Sequence, residues 1–173
     1  NTYPHAATLN DSILSSNPCT EPLFYMTWGR KNGDASNCGN YPPICTYDGM
    51  QQRLKESYLE MADDNDASVA PVGVAWKAVR DLYPTIELYN PDESHPSAAG
   101  SYLAACVFNV SIFRESIVNN SFEFTLDSLT AYRLRDIASS TVLDSLSVWG
   151  IGNNDLSISL GNDTALCADS VWI

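Results

Sequence analysis

Hydrophobic and polar positions follow two periods in the first half of the chain, and together they predict alternating helices and strands. Short apolar or aromatic runs typical of buried strands occur at 23–28, 67–72 and 85–89. Apolar residues at helical spacing predict a helix at 49–63. Further helices are predicted at 5–16, before Asn17-Pro18, and at 74–82, where Pro84 stops the helix. This order predicts an α/β fold, in which right-handed crossovers join parallel strands.

The two loops that follow the first and third predicted strands are the expected location of a functional site. They cover 29–46 and 90–96, and sites in parallel sheets form beyond the carboxyl ends of the strands. A buried helix is predicted over 96–118, with Pro96 in its first turn. Two aspartates are predicted to cap helices, Asp48 before 49–63 and Asp127 before a helix that ends near Ser140.

Charge and composition exclude some classes of partner. The chain has 21 acidic and 9 basic side chains and a net charge of −12. Nucleic-acid binding and docking on anionic membranes both need a basic surface. No stretch approaches the roughly 18 consecutive apolar residues of a spanning helix. A hydrophobic content of 45% is that of a globular protein, so we expect neither nucleic-acid nor membrane partners.

The two ends of the chain suggest a longer protein. The sequence begins Asn-Thr-Tyr-Pro without an initiator methionine and ends in strand-forming residues. Alternating apolar positions at Leu156, Ile158 and Leu160 predict short strands. We therefore expect an N-terminally truncated α/β domain over 1–150 and the start of a β-sandwich module over 151–173.

The chain has five cysteines. Cys38 and Cys45 bracket a turn-rich stretch that a short disulfide would fix. Zinc binding is the alternative, although the chain has only two histidines and no Cys-x-x-Cys. Cys106 lies in an apolar helical pattern and is either a buried thiol or a bridge partner of Cys19. Several cysteines, few lysines and many Asn, Ser, Thr and Tyr residues favour a secreted or cell-surface protein.

Asp92 and His95 form the pattern with the clearest chemistry. They are three residues apart in a turn just past the third predicted strand, a spacing that lets the carboxylate reach the imidazole. An aspartate that accepts a bond from one ring N–H leaves the other nitrogen free as a base. Pro96 restricts His95 to an extended backbone and would start the next helix directly after it. The alternative is a surface turn with a helix cap.

The sequence Asp-Glu-Ser-His-Pro-Ser over 92–97, with Gly100, resembles the last conserved block of the SGNH (GDSL-like) hydrolases. The element order from 23 to 118 is similar to the C-terminal half of that fold. Residues 25–34 resemble a strand and loop of secreted bacterial members whose catalytic domain precedes β-rich modules. The resemblance covers about 5–118, and it implies a three-layer parallel-sheet (flavodoxin-like) fold and a Ser-His-Asp triad that includes Asp92 and His95.

The sequence departs from that family at the nucleophile. It contains no Gly-Asp-Ser block, so the resemblance implies that the serine and the oxyanion donors precede residue 1. Asn32 superficially resembles the asparagine of an earlier block. Trp28, Arg30 and Asn32 are expected to contribute to substrate binding, although Trp28 at a strand end also fits a core position.

The resulting expectation is a fragment of a secreted ester hydrolase that acts on small-molecule or carbohydrate esters, without a cofactor, as a monomeric catalytic domain. The fragment alone should be inactive, and it should fold poorly because its sheet lacks neighbouring strands. One alternative is a non-catalytic, secreted glycan-binding or adhesion domain on the same fold. Another is a metal-dependent hydrolase that uses Asp92, His95 and cysteines.

Overall fold

The computed structural model describes residues 2–152. Two parallel strands, β1 (Leu23–Tyr25) and β2 (Ser68–Ala70), pair with Leu23 opposite Ser68 and Tyr25 opposite Ala70. The five α-helices of this part of the chain are α1 (Tyr3–Ser16), α2 (Tyr47–Asp64), α3 (Val72–Leu82), α4 (Ala98–Phe113) and α5 (Ser128–Leu143). Helices and a parallel sheet confirm the predicted α/β class.

The hydrophobic core forms where the helices meet β2. All three residues of β2 are buried, and α2 and α4 pack against it. Helix α3 contributes the fully buried Trp76 and Val79 to the same core. Helix α4 is buried along most of its length and packs against α3 and α5. A helix that is apolar on nearly all sides requires such neighbours, which explains its central position.

The prediction of a third strand at 85–89 is wrong. Within residues 2–152 the sheet has two strands, and Tyr89 forms only an isolated antiparallel bridge with Pro96. The carbonyls of Glu87 and Leu88 accept bonds from the hydroxyl and the N–H of Ser97, at 2.8 and 2.9 Å. These two carbonyls therefore bond to the start of the next helix rather than to β1 or β2.

The predicted helix over 96–118 is shorter at both ends. Ser97 is its N-cap and accepts a bond from the Gly100 N–H at 3.2 Å, so Pro96 lies before the helix rather than in its first turn. The helix ends at Phe113 because Arg114 adopts a left-handed conformation, with φ 57°.

Two other predicted helix starts differ in outcome. Asp127 caps α5 by accepting the Thr130 N–H at 3.0 Å, as expected. Helix α2 instead starts earlier, because Thr46 accepts the Gly49 N–H at 3.1 Å. Asp48 therefore lies inside the first turn of α2, where it pairs with Lys77 at 2.9 Å.

The cysteines separate into bridged and free side chains. Cys38 and Cys45 form the predicted disulfide, with Cα atoms 4.7 Å apart, around a short 3-10 helix over Pro42–Cys45. Cys106 is buried and free, so its predicted alternative pairing with Cys19 is wrong. Burial raises the pKa of the Cys106 thiol to about 11, which leaves it a poor nucleophile.

Among residues 2–152, no helix is both long and apolar enough to cross a membrane. The predicted strands at 156–173 lie outside the described residues.

Candidate active site

The segment 90–95 is a tight turn between the bridged residues Tyr89 and Pro96. The Asn90 N–H donates to the His95 carbonyl at 2.8 Å, and the Glu93 N–H donates back to the Asn90 carbonyl at 2.9 Å. These bonds fix the backbone on both sides of Asp92 and His95.

The carboxylate of Asp92 and the imidazole of His95 are directly paired. Asp92 Oδ2 lies 2.5 Å from His95 Nδ1, and Oδ1 accepts the backbone N–H groups of Ser94 and His95 at 3.0 and 2.9 Å. The bond to the His95 side chain, with these backbone bonds, lowers the pKa of Asp92 to about 2. A carboxylate only accepts hydrogen bonds, so His95 Nδ1 donates in this pair, and in the neutral imidazole Nε2 is then the nitrogen that can take a proton.

The side chain of His95 is largely exposed to solvent. The side chain of His95 is 76% exposed, and that of Asp92 is 49% exposed. Within residues 2–152, the imidazole has no hydrogen-bond partner other than Asp92. No serine hydroxyl of this region bonds to it, and the nearby Ser97 hydroxyl is occupied at the helix cap. The arrangement is therefore that of a general base with its orienting acid.

The two loops predicted to form the site, 29–46 and 90–96, are in contact. Trp28 Nε1 donates to the Ser94 carbonyl at 3.0 Å, and the Lys31 N–H donates to the Glu93 carbonyl at 2.9 Å. The Asn32 amide donates to the Glu93 carboxylate at 2.8 Å. Residues 28–32 therefore hold the turn through its backbone and one side chain.

Glu93 has an unfavourable backbone conformation at the centre of this turn. Its φ is 59°, in the left-handed region that residues with a Cβ adopt at a cost. The bonds from Lys31 and Asn32 hold it there. Strained residues of this kind concentrate at functional sites, where the surroundings determine their conformation.

The three predicted substrate-binding residues have different environments. Trp28 is half-buried and stacks on Trp76, with ring centroids 4.0 Å apart and planes 6° from parallel. Arg30 forms an ion pair with the buried Asp34 at 3.6 Å and keeps 51% of its side chain exposed. Neither Trp28, Arg30 nor Asn32 hydrogen-bonds to Asp92 or His95 themselves.

Several supporting residues were missed by the sequence interpretation. Arg80 donates to the Lys31 carbonyl and to the Tyr89 hydroxyl, which in turn donates to the Gly29 carbonyl at 2.7 Å. Gln51 accepts the Gly29 N–H at 2.9 Å. The only signal for Arg80 was its place in the last turn of a predicted helix, where basic residues are common for electrostatic reasons.

The disulfide supports the same loop from its far side. The Asp34 N–H donates to the Ile44 carbonyl at 2.8 Å, next to the bridged Cys45. Gly33, with φ 80°, lies so close to the Ile44 and Cys45 backbone that a Cβ would come within 2.7 Å of it. The bridge thus anchors the residues that follow Asn32.

Other features of the surface lie away from this turn. A cavity of about 580 Å³ lies between the end of α2 and residues 147–150, and neither Asp92 nor His95 lines it. In the part of the chain that the structure describes, no three His, Cys, Asp or Glu side chains are grouped as metal ligands.

Comparisons with known proteins inform the fold. No family model and no curated protein matches the chain. A crystal structure of a DUF4886 family protein from Bacteroides uniformis is similar, with a TM-score of 0.72 and 18% sequence identity. The match covers 82% of this chain and 56% of that one, so this chain spans a little over half of its length. At this identity the likeness concerns the fold alone.

Proposed function

We propose that the chain carries the catalytic histidine of an SGNH-type ester hydrolase and the aspartate that orients it, on the C-terminal part of a three-layer α/β fold. The observation that supports this most directly is the Asp92–His95 pair at 2.5 Å, on a turn fixed from both sides and with most of the His95 side chain exposed. The nucleophilic serine and the oxyanion donors would come from outside residues 1–173. No cofactor is needed for this chemistry.

In the proposed reaction, the serine hydroxyl attacks the ester carbonyl while His95 Nε2 takes its proton. Asp92 remains a carboxylate throughout, because its pKa of about 2 lies far below neutral pH. It therefore stabilises the imidazolium without accepting the proton. His95 then returns the proton to the leaving alcohol, and the acyl-serine is hydrolysed by water in the reverse sequence of steps.

Carbohydrate acyl esters are the proposed substrates. Trp28 is half-buried beside the turn and is held rigidly by Trp76 and the Ser94 carbonyl. A fixed indole ring suits the apolar face of a sugar. Arg30 and Asn32, both exposed on the same loop, supply polar groups for hydroxyls. The disulfide is compatible with the proposed secreted or cell-surface location.

The experiment that tests this function measures hydrolysis of a short-chain aryl ester by the full-length protein. His95→Ala should lower kcat by about 10²–10⁴-fold, the usual contribution of a general base. Asp92→Asn should lower it less, because the neutral imidazole remains in place. His5→Ala is the matched control, since His5 is exposed on α1 and should not matter.

Unchanged turnover in His95→Ala would falsify the assignment. The polypeptide 1–173 alone should show no turnover, and robust activity from it would contradict an external serine.

A non-catalytic glycan-binding domain is the second candidate. It is favoured by one observation: Trp28 is held rigidly beside the exposed Arg30 and Asn32, an arrangement that needs no nucleophile to bind a sugar. Under this alternative, the full-length protein would bind an oligosaccharide without hydrolysing its esters. His95→Ala would then leave binding intact, whereas Trp28→Ala would weaken it.

A further inference from the structure

We propose that Arg80 is a positioning residue for His95, because it bonds to both segments, 29–31 and Tyr89, that hold the turn over 90–95. The inference rests on the proposed function and adds to it a residue outside both loops. Arg80 belongs to the last turn of α3, which carries neither Asp92 nor His95.

The guanidinium of Arg80 makes three hydrogen bonds across two segments. Its Nη1 and Nη2 donate to the Lys31 carbonyl at 3.0 and 3.1 Å, and Nη1 also donates to the Tyr89 hydroxyl at 3.1 Å. The Tyr89 hydroxyl donates onward to the Gly29 carbonyl at 2.7 Å. Arg80 therefore joins the backbone of residues 29–31 to the side chain of Tyr89.

Both segments lead directly to the turn. The Lys31 N–H donates to the Glu93 carbonyl, two residues before His95. Tyr89 is bridged to Pro96, the residue after His95. A shift of Lys31 or of Tyr89 would thus move the imidazole from one side or the other. Misplacement of a catalytic group by about 1 Å can cost about a hundredfold in rate.

The contacts of residue 80 require an arginine, and a lysine of the same charge cannot replace it. The guanidinium carbon lies 3.7 Å from the centroid of the Tyr47 ring, so the planar group stacks there while its edge donates to Lys31 and Tyr89. A lysine ammonium has one nitrogen and no flat face, so it cannot stack and reach both acceptors together. Substitution by lysine keeps the positive charge but removes the stacking on Tyr47 and the paired hydrogen bonds.

The primary test compares Arg80→Lys with Arg135→Lys in the full-length protein. Arg135 is a matched control, since it also donates to a backbone carbonyl, that of Phe122, and to a tyrosine hydroxyl, that of Tyr102. It contacts neither 29–31 nor 89–96 through these bonds. Arg80→Lys should lower kcat for the aryl ester roughly tenfold to a hundredfold, with KM little changed, whereas Arg135→Lys should leave kcat close to that of the unsubstituted protein.

If Arg80→Lys does not fold, a second variant and a second measurement still test the role of Arg80. Tyr89→Phe removes the hydroxyl that accepts from Arg80 and donates to the Gly29 carbonyl, and it should lower kcat in the same direction by a smaller factor. The ¹H NMR signal of the His95 Nδ1 proton reports the bond to Asp92 without substrate. It should weaken or shift in Tyr89→Phe and Arg80→Lys, but not in Arg135→Lys.

The outcomes separate this inference from the proposed function. An unsubstituted protein with no esterase activity would overturn the function, and the NMR signal would still decide the role of Arg80. An unchanged kcat and an unchanged Nδ1 signal in both Tyr89→Phe and Arg80→Lys would overturn the positioning role. An equal loss of kcat in Arg135→Lys would also overturn it, because the effect would then follow from replacing an arginine that bonds to a carbonyl and a tyrosine hydroxyl anywhere in the fold.

Discussion

Replacement of Gly100 by alanine should destabilise the protein, because α4 packs too closely for a side chain there. Gly100 lies in the first turn of α4 and is buried against Trp76 and the Leu88 backbone. An alanine Cβ would lie 2.3 Å from the Leu88 carbonyl oxygen and 2.4 Å from the Trp76 ring. Neither group moves easily, since one is backbone and the other is a fully buried side chain.

The magnitude follows from two opposing effects. Ordinary contact begins at 3.4 Å, so the helix must move by about 1 Å, and overpacking of this kind costs about 1–3 kcal/mol. Alanine in a helix gains about 1 kcal/mol over glycine. With two rigid neighbours the cost lies at the upper end of its range, which leaves a net loss of about 2 kcal/mol.

Urea unfolding followed by tryptophan fluorescence measures this loss. Gly39→Ala is the matched control, because no atom lies within 4 Å of its added Cβ, and its free energy of unfolding should stay within about 0.5 kcal/mol. Gly100→Ala should also lower ester hydrolysis, since the Leu88 carbonyl accepts the Ser97 N–H just after His95. A Gly100→Ala protein as stable as the unsubstituted one would refute the close packing described above.

Two further predictions concern the turn and the loop beside it. A ¹³C NMR titration should give a pKa of about 2 for the Asp92 carboxyl group. The bond between Asp92 and His95 should therefore be fully present above the ordinary carboxyl pKa and should be lost as the pH falls through about 2. In His95→Ala the midpoint should rise toward about 3.9, and an identical midpoint would contradict the pairing. Joint replacement of Cys38 and Cys45 by serine should lower the free energy of unfolding by about 2–3 kcal/mol in urea. A change below about 0.5 kcal/mol would mean that the bridge does not constrain the loop.

The first three helices were predictable because each occupies a long segment that ends near a proline or a polar turn. Helices expected at 5–16, 49–63 and 74–82 are found at Tyr3–Ser16, Tyr47–Asp64 and Val72–Leu82. Shorter runs carry less information. The run at 85–89 has the composition of a strand, but Ser97 takes two of its carbonyls through contacts ten and nine residues away. Composition alone cannot show which partner a backbone group will have.

In the candidate site, the local contacts could be predicted from the sequence and the distant contacts could not. Asp92 and His95 are three residues apart, so their pairing is readable from spacing and turn chemistry. The support by Arg80 joins residues 49 positions apart, and that by Trp28 joins residues 66 apart. Such contacts depend on how the helices pack, and no periodic pattern records them.

The long separation between the turn and its supports has a consequence for the order of events during folding. An unfolded or half-folded chain can already bring the Asp92 carboxylate near the imidazole, since the intervening loop is short. The bonds from Trp28 and Lys31 require the closure of loops of about sixty residues, which is slow relative to local turns. During refolding, recovery of ester hydrolysis should therefore trail the recovery of helical circular dichroism.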